Sequence, residues 1–339
     1  MPIPYKAEFF DRDLNFQCFA VIDKPEIKMD YLTLDKTTIR LPLMDILRGW
    51  YCQITQGKNT VYQGTVAAVD QSRHFLTVQL SPMIALFDVQ VYKDRTTYQK
   101  TNLEGWMAAI LTEQFVNSGD NIQNLHNFSV TAITSTNSIA LNLKDNIHDF
   151  WDDIAKKAIE NAKIVITCAF QPQIKAVAAV ITSHAGQNEV TIEADLPNVI
   201  DRRFNLRDDW GSVNKCVIIN NSDETQRSTF YASDYAAPTN CRFEYITVPS
   251  GETFANAAKD KADELLKKSE FDNLIELQFR EDDRMIPDIS IGQPVRILRN
   301  GTVYHTVLTG YILGSGNKTL IFGGIRTDLT KILKLKGAI

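Results

Sequence analysis

The sequence is poor in cysteine and has no long apolar run. Its five cysteines among 339 residues stand far apart, and no two are spaced as C-x-x-C. This excludes a disulfide framework and a zinc ribbon, and it indicates a reduced protein with free thiols. The most apolar segment, residues 174–182, is far shorter than the ~20 residues of a membrane-spanning helix. The first residues lack the features of a signal peptide. We therefore expect synthesis in a cytoplasm, without a membrane anchor.

Basic charge is not in excess either. The chain carries 36 Lys and Arg against 41 Asp and Glu, which gives a net charge of -5. Nucleic-acid-binding surfaces need clustered cations, so we expect no direct sequence-specific binding of nucleic acid. The apolar content of 44% and the charged content of 23% are ordinary for a globular protein. The length predicts two to three compact units.

Recognisable catalytic motifs are missing. His184 follows Ser183 directly, but neighbours in an extended chain point to opposite faces, and no G-x-S-x-G elbow occurs. Asn317 separates Gly316 from Lys318, so this glycine-rich stretch fails the phosphate-loop pattern. The histidines show no zinc-binding spacing. We expect a loop position for His184 and no catalytic residue, cofactor or metal site.

Two acidic runs, residues 149–153 and 281–284, are the best candidates for paired carboxylates or a cation site. We favour a solvated helix face for the first run, with Asp149, Asp152 and Asp153 opposite an apolar stripe. For the second we favour a surface loop.

The order of patterns predicts a β region, an α+β region and a second β region with a helical insertion. Residues 1–95 contain short strands, for example 75–80, where apolar and polar residues alternate. Residues 96–200 contain a helix capped by Asn102 and stopped near Gly119, and a second helix from Asn146 with Asp149 in a capping box. Three strands follow the second helix, over residues 163–170, 174–182 and 189–194. A further helix, capped by Ser250 or Thr253, interrupts the last region.

One hairpin pattern occurs in both β regions. The stretches Gly49–Gly64 and Gly292–Gly310 each follow an Asp-Ile pair at the same interval. Each contains two alternating apolar residues, a turn with glycine and a Val-Tyr pair. The sequence leaves two interpretations open, an internal duplication or two unrelated hairpins with common turn chemistry.

This order of motifs resembles the tail hub family of tailed bacteriophages, which includes baseplate hubs and the N-terminal part of siphophage tail-associated lysins. The resemblance covers essentially the whole chain and depends on a set of segments rather than one specific motif. The segments are residues 30–32, 49–64, 146–158, 164–170, 206–220, 252–268 and 291–330, with Gly323–Arg326 and Leu329 near the end.

The resemblance implies an α+β multidomain fold with two small antiparallel β-barrels joined by α+β domains. Mapped onto this chain, the first barrel spans residues 1–95 and the α+β domain 96–200. The second barrel consists of 201–240 and 285–339, and the helix-containing insertion spans 241–284.

The resemblance also implies a structural role. Three chains with two barrels each would form a pseudo-sixfold ring at the tail tip of a virion, where the hub gates DNA passage. Implied partners are two further copies of the chain, the tail tube or distal tail protein, the tape measure protein and receptor-binding proteins. We expect no enzyme activity.

Two alternatives remain open at this point. One is a peptidoglycan-degrading endopeptidase that uses acids such as Asp149, Asp153, Glu281 or Asp282. The other is a carbohydrate-binding receptor module, which would need exposed aromatic side chains such as Tyr231 and Tyr235.

Overall fold

The computed structural model describes most of the chain as two compact units. One unit contains residues 1–203 and 275–339, and the other contains 204–274. No helix in the described part of the chain is long and apolar enough to cross a membrane. The described residues are 4–23, 25–32, 35–92, 102–120, 124–133, 148–206, 213–232, 241–266 and 269–325.

The N-terminal region forms a curled six-stranded sheet with the order β2-β1-β5-β6-β7-β4. In β7 the apolar residues Leu76, Val78 and Leu80 are buried, as the alternating pattern predicted. They share a core with Phe9 and Ile54. The strands of this region are β1 (Tyr5–Phe10), β2 (Phe16–Ile22), β3 (Ile27–Asp30), β4 (Thr37–Leu41), β5 (Tyr51–Gln56), β6 (Asn59–Gln71) and β7 (Leu76–Pro82).

The middle region combines a three-stranded sheet with two helices. The sheet has the order β11-β12-β9, and Trp106 and Trp151 are buried on the two helices. The predicted cap of the first helix is confirmed, because the Asn102 side chain accepts a hydrogen bond from the Gly105 amide at 3.0 Å. The elements are β8 (Gln90–Tyr92), α1 (Leu103–Phe115), β9 (Phe128–Ile133), β10 (His148–Phe150), α2 (Trp151–Ala162), β11 (Ile164–Gln171) and β12 (Ala176–Ser183).

The second helix begins later than the sequence predicted. Helix α2 starts at Trp151, and its N-cap residue Phe150 makes no side-chain cap. The reason is that β10 pairs with β8, with Phe150 opposite Gln90, so the backbone of Asp149 belongs to a sheet. Asp149 therefore does not complete a capping box, and Asn146 lies outside the described residues.

The second curled sheet has the order β13-β19-β20-β21-β18-β14, and β3 also pairs with β20. The strand predicted at residues 189–194 forms here as β13, in this sheet and not in the sheet of the middle region. The strands are β13 (Val190–Glu193), β14 (Val199–Asn205), β18 (Leu274–Arg280), β19 (Pro294–Arg299), β20 (Thr302–Gly314) and β21 (Asn317–Gly323). The fold is thus α+β with two barrel-like curled sheets.

The other compact unit contains β15 (Lys215–Asn220), β16 (Asp223–Tyr231), β17 (Cys241–Ile246) and α3 (Phe254–Leu266). The side chain of Thr253 accepts a hydrogen bond from the Asn256 amide at 3.5 Å, at the predicted start of the helix. Strand β15 lies between β16 and β17, so both of its edges are used inside this unit. Residues 204–274 form this compact unit, and the insertion implied by the resemblance, residues 241–284, overlaps it.

Candidate assembly site

The acidic run at residues 149–153 is divided between two elements. Asp149 is buried in β10, and its carboxylate accepts a hydrogen bond from the Phe150 amide at 3.0 Å. Asp152 and Asp153 lie in the first turn of α2, where acids suit the helix dipole. Asp153 pairs with Lys157, one turn later, at 2.9 Å. The run is thus not one solvated helix face, because Asp149 is excluded from it.

Glu281 lies in a contact between the two curled sheets. Its carboxylate accepts a hydrogen bond from the Gln56 amide side chain at 3.0 Å, and its backbone N–H donates to the Gly316 carbonyl at 2.9 Å. Burial, together with the neighbouring Asp282, raises the pKa of the Glu281 carboxyl. Through these contacts Glu281 links the turn of the first hairpin, at Gln56, to the second curled sheet.

The remaining candidates do not gather into one site. His184 lies in the loop after β12, as predicted, and its Nδ1 is 3.0 Å from the Gln187 side-chain oxygen. Tyr231 ends β16 and is 52% exposed, whereas Tyr235 lies outside the described residues. In the described part of the chain, no group of three His, Cys, Asp or Glu side chains could hold a metal ion.

The two hairpins identified in the sequence have the same hydrogen-bond pattern. Gly49 donates from its amide to the Val66 carbonyl at 2.8 Å, and Gly292 donates to the Leu308 carbonyl at 2.8 Å. Both glycines have positive φ, 84° and 91°, which glycine adopts without steric cost. Two unrelated hairpins would not be expected to share this start, so the structure supports internal duplication.

The long second strands of the two hairpins also correspond. Strands β6 and β20 each contain 13 residues. The pairing of β6 with β7 shifts between Val66 and Ala68, and that of β20 with β21 shifts between Leu308 and Gly310. A bulge bends its strand and increases the local twist. The same device therefore curls both sheets at the same position.

The register corrects one detail of the sequence alignment. Cys52 pairs with Gly64 in the first hairpin, and Val295 pairs with Thr306 in the second. The structural counterpart of Gly64 is therefore Thr306 and not Gly310. Val61 is the extra residue that accounts for the one-residue difference in hairpin length, since it lies unpaired between Thr60, opposite Thr55, and Tyr62, opposite Ile54.

The order of five neighbouring strands is the same in both sheets, but the direction of the first differs, because β1 is antiparallel to β5 whereas β13 is parallel to β19. The order β1-β5-β6-β7-β4 in the first sheet matches β13-β19-β20-β21-β18 in the second. The sheets differ in their sixth strand, since β2 adds beside β1 whereas β14 adds beside β18. One chain thus contains two similar curled sheets, so that it could make two similar contacts in an assembly.

A short segment near the N-terminus, β3 and the residue after it, joins the two curled sheets. Strand β3 follows two strands of the first sheet in sequence but pairs with β20 of the second, with Asp30 opposite Gly310. The next residue, Tyr31, donates from its amide to the Thr309 carbonyl at 3.0 Å. Its hydroxyl accepts a hydrogen bond from the Ile166 amide of β11 at 3.1 Å. The sequence did not predict that β3 pairs with the second sheet, because no local pattern indicates which sheet a strand joins.

We expect Gly49→Ala and Gly292→Ala to differ in cost although the two glycines are equivalent. Alanine at either position is forced into positive φ, at about 1 kcal/mol. A Cβ at Gly292 would also lie 2.4 Å from Cγ1 of Val165, whereas at Gly49 the nearest atom is 3.5 Å away, on the flexible Arg12 side chain. Gly292→Ala should therefore lower the free energy of unfolding by about 2 kcal/mol and Gly49→Ala by about 1 kcal/mol.

Urea unfolding followed by tryptophan fluorescence measures this difference. The double variant Gly292→Ala with Val165→Ala removes the obstructing methyl group and serves as the control. In a double-mutant cycle it should show a favourable coupling between the two sites. Equal costs for the two single glycine variants would contradict the assigned packing of Gly292 on β11.

Comparison with known proteins gives matches at the level of structure. No family model and no curated protein matches the sequence. The structure is similar to the 43 kDa tail protein of prophage MuSo2 from Shewanella oneidensis, with a TM-score of 0.60 and 11% identity over 95% of this chain and 98% of that one. It is also similar to prophage tail protein gp18 of Listeria monocytogenes EGD-e, with a TM-score of 0.56 and 8% identity over 98% and 99%.

A third similar structure comes from a whole assembly, the phage P2 baseplate in its activated conformation with Ca. The TM-score is 0.54 at 14% identity, and the match covers 94% of this chain and 98% of that one. All three matches therefore extend over nearly the full length of both compared chains. The chain has the fold of the tail and baseplate proteins of phages and prophages.

Proposed function

We propose that this protein is a structural hub at the tip of a phage or prophage tail. Three copies form a ring that connects the tail tube or the distal tail protein to the host-binding apparatus. The observation that carries this proposal is the duplicated curled sheet, with the same hairpin start, the same bulge and five strands in the same order. The shared fold with tail and baseplate proteins supports it.

The duplication would allow a ring of three chains to match a neighbour with sixfold symmetry. Closed rings form from head-to-tail contacts when the rotation between neighbours closes. Three chains with two similar sheets each provide six similar faces, whereas the rest of the ring keeps threefold symmetry. A sixfold tube on one side and a threefold apparatus on the other can then both be matched by one ring. The ring would surround the path through which DNA leaves.

The proposed location is the virion, at the tail tip or baseplate. The partners are two further copies of the chain and the tail tube or distal tail protein, with the tape measure protein and receptor-binding proteins as further neighbours. The net charge of -5 suits a channel that DNA traverses without being held, because the chain has no excess of cations to bind the phosphates.

Native mass spectrometry of the purified chain, followed by electron microscopy, tests the proposal. We expect a species of three 38.3 kDa chains and ring-shaped particles with six lobes and threefold symmetry. The protein should also be found in purified virions or induced prophage particles. A monomer at every concentration, together with its absence from particles, would overturn the hub assignment.

A zymogram on host cell walls tests the endopeptidase alternative. We expect no clearing, since Asp149, Asp153 and Glu281 have separate partners in β10, in α2 and beside Gln56. Clearing that disappears with Asp153→Asn or Glu281→Gln, in a protein that still forms trimers, would assign an enzymatic role instead.

A further inference from the structure

The sheet of unit 204–274 has two faces of different character. Side chains alternate between the faces of a strand. On one face, Cys216 and Ile218 pack against Ala258 and Ala262 of α3, with Phe230 beside them. This is the hydrophobic core of the unit. The opposite face receives the other half of the paired residues.

We call that opposite face the open face. Three cross-strand rows form it, and each row contains one aromatic ring. From β16 through β15 to β17 the rows are Tyr231, Lys215 and Cys241; Thr229, Val217 and Phe243; and Arg227, Ile219 and Tyr245.

The rings of the open face are turned toward solvent. Phe243 is 63% exposed, Tyr245 55% and Tyr231 52%. Val217 and Ile219, which lie between them on the central strand, are each 8% exposed. Large apolar side chains that remain this exposed together are typical of interaction surfaces. The alternation in β17, with aromatic residues at every second position, is the sequence signal that could have identified them.

The charge of the open face is of one sign. Among the three rows, Lys215 and Arg227 are the charged residues, and both are cations. Two acids occupy paired positions outside these rows. Glu244, opposite Ile218, lies on the other face and forms an ion pair with Arg242, and Asp223 pairs with Asn220 beyond the last row. The Lys215 ammonium lies 5.9 Å from the centroid of the Tyr231 ring, within range of a cation–π contact. The open face is thus complementary to an anionic partner.

We propose that the open face binds an acidic carbohydrate polymer. Successive rows lie about 7 Å apart, two residues along a strand. Each row presents one ring, and the two outer rows add one cation each. A polymer of pyranose rings that carry acidic groups offers both kinds of contact. The C–H faces of the sugars stack on Phe243 and Tyr245, and Arg227 and Lys215 contact the acidic groups. The ring of Tyr245 also carries a hydroxyl group that can bond to a sugar hydroxyl.

This binding site does not depend on the proposed hub. It is contained in unit 204–274, which is inserted between β14 and β18, two neighbours in the second curled sheet. The two proposals can therefore fail separately, since oligomer measurements test the hub and saccharide binding tests the open face.

Isothermal titration of the full-length chain with three probes tests the site. The probes are polygalacturonate, an acidic polysaccharide; dextran, a neutral one; and polyglutamate, an acidic polymer without sugar rings. We expect polygalacturonate to bind and the other two to bind at least tenfold more weakly. Equal binding of polyglutamate would show that charge alone attracts the probe and would overturn the carbohydrate assignment. Absence of polygalacturonate binding would overturn it as well.

Substitutions locate the site. Phe243→Ala and Tyr245→Ala should each weaken polygalacturonate binding about tenfold, the size expected when a central aromatic contact is truncated. Phe19→Ala is the matched control, because Phe19 is also an exposed phenylalanine (53%), on β2, and should leave binding unchanged. Loss of binding in the control, or full binding in the double variant of Phe243 and Tyr245, would exclude the open face.

Cys241 provides an independent readout. It is an exposed thiol at the end of the first row, beside the site where the polymer would lie. Bound polygalacturonate should slow alkylation of Cys241 at least severalfold, whereas dextran should not. Peptide mapping separates this thiol from Cys18 and Cys168. Unchanged alkylation at saturating polygalacturonate would place the polymer elsewhere on the protein.

Discussion

Replacing Gly310 by alanine is expected to lower the free energy of unfolding by about 3 kcal/mol, the upper range for overpacking in a closely packed site. Gly310 follows the bulge of β20 and pairs with Asp30 of β3. A Cβ there would lie 2.6 Å from the Met29 carbonyl oxygen and 3.1 Å from the Asp30 Cα. Both are backbone atoms, so no side-chain rotation relieves the clash. Strand β3 must move away from β20, and hydrogen bonds between the two strands are lost.

Gly314→Ala is the matched control in the same strand. Its Cβ would meet the nearest atom, Cγ of Glu26, at 3.5 Å, an ordinary contact. Because alanine restricts the unfolded chain more than glycine does, this variant should be neutral or more stable by about 0.5 kcal/mol. Urea unfolding measures both variants. Hydrogen exchange at the Tyr31 amide should accelerate in Gly310→Ala alone. Equal stability of the two variants would mean that β3 does not lie against Gly310.

Truncation of Tyr31 to alanine is the second large effect. The side chain is 3% exposed and sits where β3, β20 and β11 meet. Removing a buried ring leaves a cavity, at a cost of about 3–5 kcal/mol. The hydroxyl also accepts the hydrogen bond from Ile166 at 3.1 Å, and burial raises the pKa of Tyr31 above its usual value. We expect Tyr31→Ala to lose most of the cooperative unfolding transition, as seen by thermal denaturation.

Tyr31→Phe separates the hydrogen bond from the packing. The ring stays in place, but the Ile166 amide loses its acceptor, which should cost about 1–3 kcal/mol. Ile166 exchange with solvent should accelerate in this variant, whereas Thr167, on the other side of the strand, should exchange as before. If Tyr31→Phe were as costly as Tyr31→Ala, the cavity argument would be wrong. If it were neutral, the hydroxyl would not be the acceptor.

Periodicity alone predicted the elements that depend on neighbours in sequence. The burial of Leu76, Val78 and Leu80 in β7 follows from period two, and the cap of Asn102 on α1 follows from chemistry within one turn. The repeated hairpins could be recognised because Gly49 and Gly292 need positive φ, which few other residues adopt. Their exact alignment could not be predicted, since the extra residue Val61 in β6 shifts every later position by one.

The first residue of an element and the strand it pairs with were predicted less well where they depend on residues far away in sequence. The apolar stripe of α2 could be recognised in the sequence. The first residue of the helix could not, because it is fixed by the pairing of β10 with β8, which are more than fifty residues apart in sequence. The same holds for the candidate acids. Asp149 and Asp153 are close in sequence, yet the end of that strand pairing sends one into a sheet and the other into a helix.

The sequence by itself determined that this protein is an α+β chain with two β regions that share a hairpin pattern, because these properties follow from local periodicity and turn residues. The tertiary structure decided which strands share a sheet. It placed β3 on β20, gathered residues 204–274 into their own unit and set Phe243 and Tyr245 on the face opposite α3. The physical reason is that hydrogen bonds between strands are the same for any sequence. Long-range burial selects among the possible pairings, and it depends on the packed chain as a whole.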